Sequence, residues 1–200
     1  MKQQLQIFTV SVLILFCVGY KINAQSVEFT SITIKQLPQS VDEFLDLRDQ
    51  LAQSPNGGAA CFLAALIVYA KNNHLGTKLL TITVDREFLV QGNSYNGFQP
   101  RSTDLNFIND LLKQKPYFFH AYISGSQPDR EYASLSGEIT FDFVRNPPTA
   151  YKEGNEIHRV LVRCSADAKP RMIKLRKDYK DFWKVYDWSS ILADFPSKNN

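Results

Sequence analysis

The stretch SPNGGAACFLAALIVYAKNN, Ser54–Asn73, decides the fold. Ser54 stands where an N-cap hydroxyl is needed, and Pro55 takes the first helical position, where its missing N–H costs nothing. From Ala59 to Ala70 the run is apolar all round a helical wheel, which predicts a buried central helix rather than an amphipathic surface one. Gly57 and Gly58, in its first turn, admit two readings. Bare N–H groups at the positive end of a helix can hold a carboxylate or phosphate. A missing Cβ can equally let another backbone or ring come close. The apolar run after Gly58 favours close packing, while Gly57 and Gly58 stay candidate ligand contacts.

Upstream, the alternating VEFTSITIK (Val27–Lys35) predicts a short edge strand. LPQSVDEFLDLRDQLAQ predicts a helix with Ser40 and Glu43 at capping-box spacing, and Leu37 placed to fold back on Phe44. Downstream, GTKLLTITV admits helix or strand, and its β-branched residues favour a strand over Leu80–Val84. NSYNGFQP reads as a turn, and STDLNFINDLLKQKP as a helix capped by Ser102. The aromatic, turn-rich YFFHAYISGSQPDREYASLSG is expected to loop over the surface. EITFDFVR and IHRVLVRC read as strands, RMIKLRK and FWKVYDW as a hairpin across DYKD, and SSILADF as a closing helical turn. About three N-terminal helices packed on a C-terminal antiparallel meander make a single α+β domain.

The first 24 residues have the pattern of a signal peptide: Lys2, an apolar run from Ile7 to Gly19, and Ala24 before the expected cut. The predicted mature domain, 25–200, is then exported to a periplasmic or extracellular site, with no membrane span after cleavage. The leader carries Lys2 and Lys21 and no acid, so the +3 of the whole chain falls to +1 without it. A nearly neutral domain is poorly suited to nucleic acid, which requires clustered cations against phosphates. No CxxC or HxxxH spacing points to a metal, and no motif to a cofactor. Cys61 and Cys164 could pair in an oxidising compartment, or act as small core hydrophobes; both readings stay open.

The sequences LPQSVDEFLDLRDQLAQSPNGGAACFLAALIVYA, GFQPRSTDL and VRCSADAKPRMIKLRK…FWKVYDWSSIL together resemble an uncharacterised bacterial domain family. Its members open a helix with Thr/Ser-Pro-x-Gly-Gly-Ala-Ala-Cys-Phe and carry a Cys-Ser-x-Ala-Asp-x-x-Pro-Arg stretch. The likeness spans nearly all of 36–195. It implies one compact domain and no catalytic residue.

For function, the rings predicted on loops carry the leading reading. Tyr95, Phe98, Phe119 and Tyr122, with His120 among them and Tyr117 and Tyr132 nearby, would form a binding platform, or equally would plug an open end of the core. The expectation is an exported, non-enzymatic module that binds a glycan, a peptide or an envelope protein. A hydrolase-type enzyme is the alternative, with Cys61 near the helix start and His74, His120 or His158 as its base. A structural cell-envelope protein is the third reading. Lys174, Arg176 and Lys184 are expected to share a solvated strand face.

Overall fold

The computed structural model describes residues 28–127, 137–145 and 157–195. Helix α1 (Val41–Leu51) begins at Ser40, whose hydroxyl accepts from the Glu43 amide at 3.1 Å. The Glu43 carboxylate reaches back to the Gln39 amide at 2.7 Å. Helix α2 (Pro55–Lys71) follows after a tight turn, with Ser54 accepting from the Gly57 amide. Every residue from Gly57 to Tyr69 is buried. Asn72 then both ends α2 and caps α3 (Asn73–Thr83), its side chain accepting from the Leu75 amide.

Helix α3 overturns the strand expected over Leu80–Val84. Its β-branched threonines are accommodated because their hydroxyls donate back along the helix, Thr77 to the Asn73 carbonyl and Thr81 to that of Thr77. Leu79, Leu80 and Ile82 are buried, and helical packing outweighs β propensity of at most about 1 kcal/mol per residue. Gly76 makes the approach possible, since a Cβ there would stand 2.1 Å from the Tyr69 Cα.

Strands β2 (Leu89–Tyr95) and β3 (Phe98–Pro100) form a separate hairpin. It turns at Asn96 and Gly97, with φ of 48° and 81°, the left-handed pair that a two-residue hairpin needs. Helix α4 (Ser102–Gln114) starts after Arg101, and Ser102 is its first residue rather than its cap.

The main sheet is antiparallel, in the order β1-β4-β5-β6-β7: Phe29–Ile34, Ile139–Val144, Ile157–Val162, Arg171–Lys177 and Trp183–Asp187. The predicted edge strand is β1, and the predicted hairpin is β6–β7. Helix α2 touches β1, β5, β6 and β7 as well as α1 and α3, so it is the centre of one core. Across the sheet, Phe141, Phe143, Val162, Ile173, Leu175 and Val185 are fully buried. The short α5 (Ser189–Leu192) closes the described chain. The domain is therefore α+β: after β1 come the helices, and then the rest of the antiparallel sheet. Residues 146–156, between the EITFDFVR and IHRVLVRC strands, and 128–136 of the expected aromatic loop lie outside the described residues.

Three ionic ties hold the periphery. Arg176 on β6 takes Asp85 with two nitrogens, at 2.6 and 3.1 Å, and reaches Glu87. Lys174 pairs with Asp187 at 3.4 Å. Lys184 turns inward, with its ammonium on the Ile82 carbonyl and 3.6 Å from Asp178; burial pushes its pKa down, partly opposed by Asp178. The basic strand residues are thus engaged with the α3 end and the segment after it, the β6–β7 turn and the end of β7, not left as a solvated face.

Candidate functional site

At the first turn of α2 the two glycines are covered. A Cβ on Gly57 would lie 1.8 Å from the Leu51 carbonyl oxygen, and one on Gly58 2.5 Å from that of Trp183. Their amides are also engaged, Gly57 with the Ser54 hydroxyl and Gly58 with the Ser54 carbonyl. Cys61 sits below them at 1% exposure, and burial pushes its thiol up to about 12, against weaker opposing pulls from Lys184 and Arg48. A nucleophilic cysteine needs the opposite shift. Cys164 is buried, its thiol likewise pushed up by burial, and the two cysteines are free.

The expected aromatic platform is divided. Phe118–Tyr122 is a buried 3-10 helix, not a surface loop. Phe119 and Tyr122 are each 1% exposed and His120 5%. The Tyr122 hydroxyl donates to the Ile191 carbonyl at 2.7 Å, and Phe118 stacks on Phe195 with ring centres 4.2 Å apart. Tyr95 and Phe98 are half-buried on the small hairpin. The Arg86 guanidinium lies 3.6 Å over the Phe98 ring. Tyr117 is exposed beside His120, and Tyr132 lies outside the described residues.

The rings that do meet at a surface come from three other segments. A groove of about 640 Å³ runs between the 3-10 turn Arg86–Phe88, the first turns of α4, and the passage from β7 into α5. Phe88 stands edge-on to Tyr186 and Trp188, with centroids at 5.2 and 5.7 Å. Trp188 also leans on Phe62 of α2 at 5.7 Å, which ties the groove floor to the core. Phe107, 55% exposed, forms an open wall.

The groove's polar groups are of two kinds. Asp104 has one carboxylate oxygen buried without a hydrogen-bond partner, and burial raises its pKa despite nearby Arg101. Burial acts on Asp187 in the same direction, but the Ser189 amide and hydroxyl, with Lys174, outweigh it and hold that carboxyl below its ordinary value. The two carboxyls place acceptor oxygens in the groove beside the rings. Arg101 and Thr103 complete the rim.

A family model described as a domain of unknown function, DUF6935, matches residues 36–199. The chain belongs to that family. No curated protein and no solved structure matches it significantly. In this DUF6935 domain the groove residues Phe88, Phe107, Tyr186 and Trp188 all fall within the matched span. Sequence reasoning passed over them because they lie in three segments, up to 100 positions apart. One signal was available: Tyr186 and Trp188 stand two apart at the end of β7, with acidic Asp187 between them. Among the described residues no helix is long and apolar enough to cross a membrane, and no group of three His, Cys, Asp or Glu could hold a metal.

Proposed function

We propose that this domain is an exported, non-enzymatic binding module, and that the Phe88–Phe107–Tyr186–Trp188 groove seats a glycan. The observation that carries the reading is an exposed ring, Phe107, facing a groove that also holds the Asp104 and Asp187 carboxyls. Sugar rings offer C–H faces to aromatic rings and hydroxyls that both donate and accept. A groove of about 640 Å³ accommodates one to a few sugar units, within the 300–1,000 Å³ common for ligand sites. The signal-peptide pattern of residues 1–24 supports export.

The test is a glycan array followed by calorimetry on the best ligand, with Phe107→Ala as the variant. Phe107 is exposed enough for its loss to leave the fold intact. Removing one aromatic contact worth about 0.5–1.5 kcal/mol predicts roughly 2- to 12-fold weaker binding. No glycan bound, or equal affinity in the variant, refutes the glycan reading; binding of a peptide library instead would reassign the groove. Export is checked by sequencing the mature amino terminus, expected at Gln25.

A further inference from the structure

A second, polar site lies at a fork in the main sheet. Strands β4 and β5 pair at a single position, Phe143 with Val162, and the Arg163 amide adds one bond to the Asp142 carbonyl. Beyond that point they diverge, and Ala121–Ser126 fills the gap. The Ser124 amide donates to the Thr140 carbonyl at 2.7 Å on one side, and the Ser165 amide to the Ala121 carbonyl at 2.8 Å on the other. The wedge leaves a cavity of about 290 Å³ with Asp142 in its wall.

Asp142 is a carboxylate only 8% exposed. Ser31 and Ser124 hydroxyls donate to its two oxygens, each at 2.7 Å. Arg163 stands 3.9 Å away, beyond hydrogen-bond range, on a side chain 59% exposed. A carboxylate accepts about four hydrogen bonds, so Asp142 retains acceptor capacity. The serines point the same way. Ser165 donates its hydroxyl proton to the Ala121 carbonyl at 3.1 Å, so in its 2.9 Å contact with Ser126 it must accept. Each hydroxyl proton of Ser124, Ser126 and Ser165 is therefore held by the protein, and these side chains offer the cavity lone pairs alone. Lone pairs gathered beside a buried carboxylate favour a cationic donor there, while Arg163 in the same wall can meet an anion.

We propose that the fork binds a primary ammonium group, held by Asp142 and by the Ser124 and Ser126 oxygens, with Arg163 at the rim placed to take an adjacent carboxylate. A free α-amino acid supplies both charges, whereas the amino terminus of a peptide supplies the ammonium alone. This site shares no residue with the aromatic groove and stands or falls separately.

The test is a chemical-shift titration of the ¹⁵N-labelled protein, reading the Ser124, Gly125 and Ser126 amides. The probes are glycine, trialanine and N-acetyl-trialanine. Saturable shifts with glycine or trialanine, and none with the acetylated peptide, are expected. Asp142→Asn should weaken binding by at least about tenfold. Arg163→Gln, at an exposed position that leaves folding untouched, should weaken glycine several-fold and spare trialanine, which separates the two sources. Absence of saturable shifts up to about 10 mM, where a millimolar site would be mostly filled, overturns the proposal. Equal binding of the acetylated probe, or undiminished binding by folded Asp142→Asn, overturns it as well.

Discussion

Gly58→Ala separates an architectural helix start from a ligand-holding one. An added Cβ would stand 2.5 Å from the Trp183 carbonyl oxygen, 2.8 Å from the Trp183 Cβ and 3.1 Å from a Leu175 methyl. Ordinary contact begins near 3.4 Å, so α2 and β7 must part by almost 1 Å. Neither side yields easily. The Gly58 amide is bonded to the Ser54 carbonyl at 2.9 Å, and the Trp183 amide to that of Ala52 at 2.9 Å. Overpacking of this kind costs about 1–3 kcal/mol, and alanine returns about 1 kcal/mol of helix propensity. The obstruction here is backbone, so we place the net loss at roughly 1–2 kcal/mol. Urea unfolding should show a lower midpoint with an unchanged slope. A variant as stable as the parent, or more so, would refute the packing account, because a glycine kept for ligand access should gain stability from alanine.

Arg171→Ala should release the end of the described chain. Its guanidinium donates to the carbonyls of Ser190 and Asp194 and pairs with Asp167 at 2.8 Å, so a loss of about 3 kcal/mol is expected, with hydrogen exchange rising over 189–195. Arg176→Gln leaves Asp85, its side chain 6% exposed, without its guanidinium partner; calorimetry should show a comparable loss of about 3 kcal/mol. Cys61 carries a pH signature. Its thiol is raised from 9.0 to about 12 in the fold, so the native state holds the proton more tightly. Its stabilising contribution is complete below pH 9 and declines as pH rises toward 12. Lys184 titrates in the opposite sense, so the readout is the stability difference between the parent and Cys61→Ala, which should move against the parent as pH climbs. A difference flat with pH would contradict the burial account.

What was legible in the sequence follows a physical line. Caps and periodicity act over three or four residues, and they placed α1, α2 and the β6–β7 hairpin. Ser40 and Ser54 accept the amides that their spacing predicted. The failures came where distant packing decides. TITV over Thr81–Val84 reads as a strand on local preference, yet the approach of Tyr69 to Gly76 draws that segment into a helix on α2. Composition likewise found the rings of 117–122 without finding their direction. A 3-10 turn places successive side chains about 120° apart, and such a segment lies exposed only if one side meets water. Here α2 and Phe195 cover it, so five consecutive residues, His120 included, are buried.

The same reasoning explains why the candidate site moved rather than vanished. Rings that a sequence places in one cluster have strong mutual contact and tend to be consumed by the core they create. Rings contributed singly by separate elements behave differently: Phe88 and Tyr186 meet where the 3-10 turn and β7 end, and Phe107 of α4 lines the same groove. Trp188 shows the transition: it is 9% exposed, with one neighbour in the core, Phe62, and another in the groove, Phe88. The proposed groove is therefore assembled by tertiary structure at the junction of α4 with β7 and α5. Its floor is tied through Trp188 and Phe62 to α2, the helix that Gly58 allows to sit against β7.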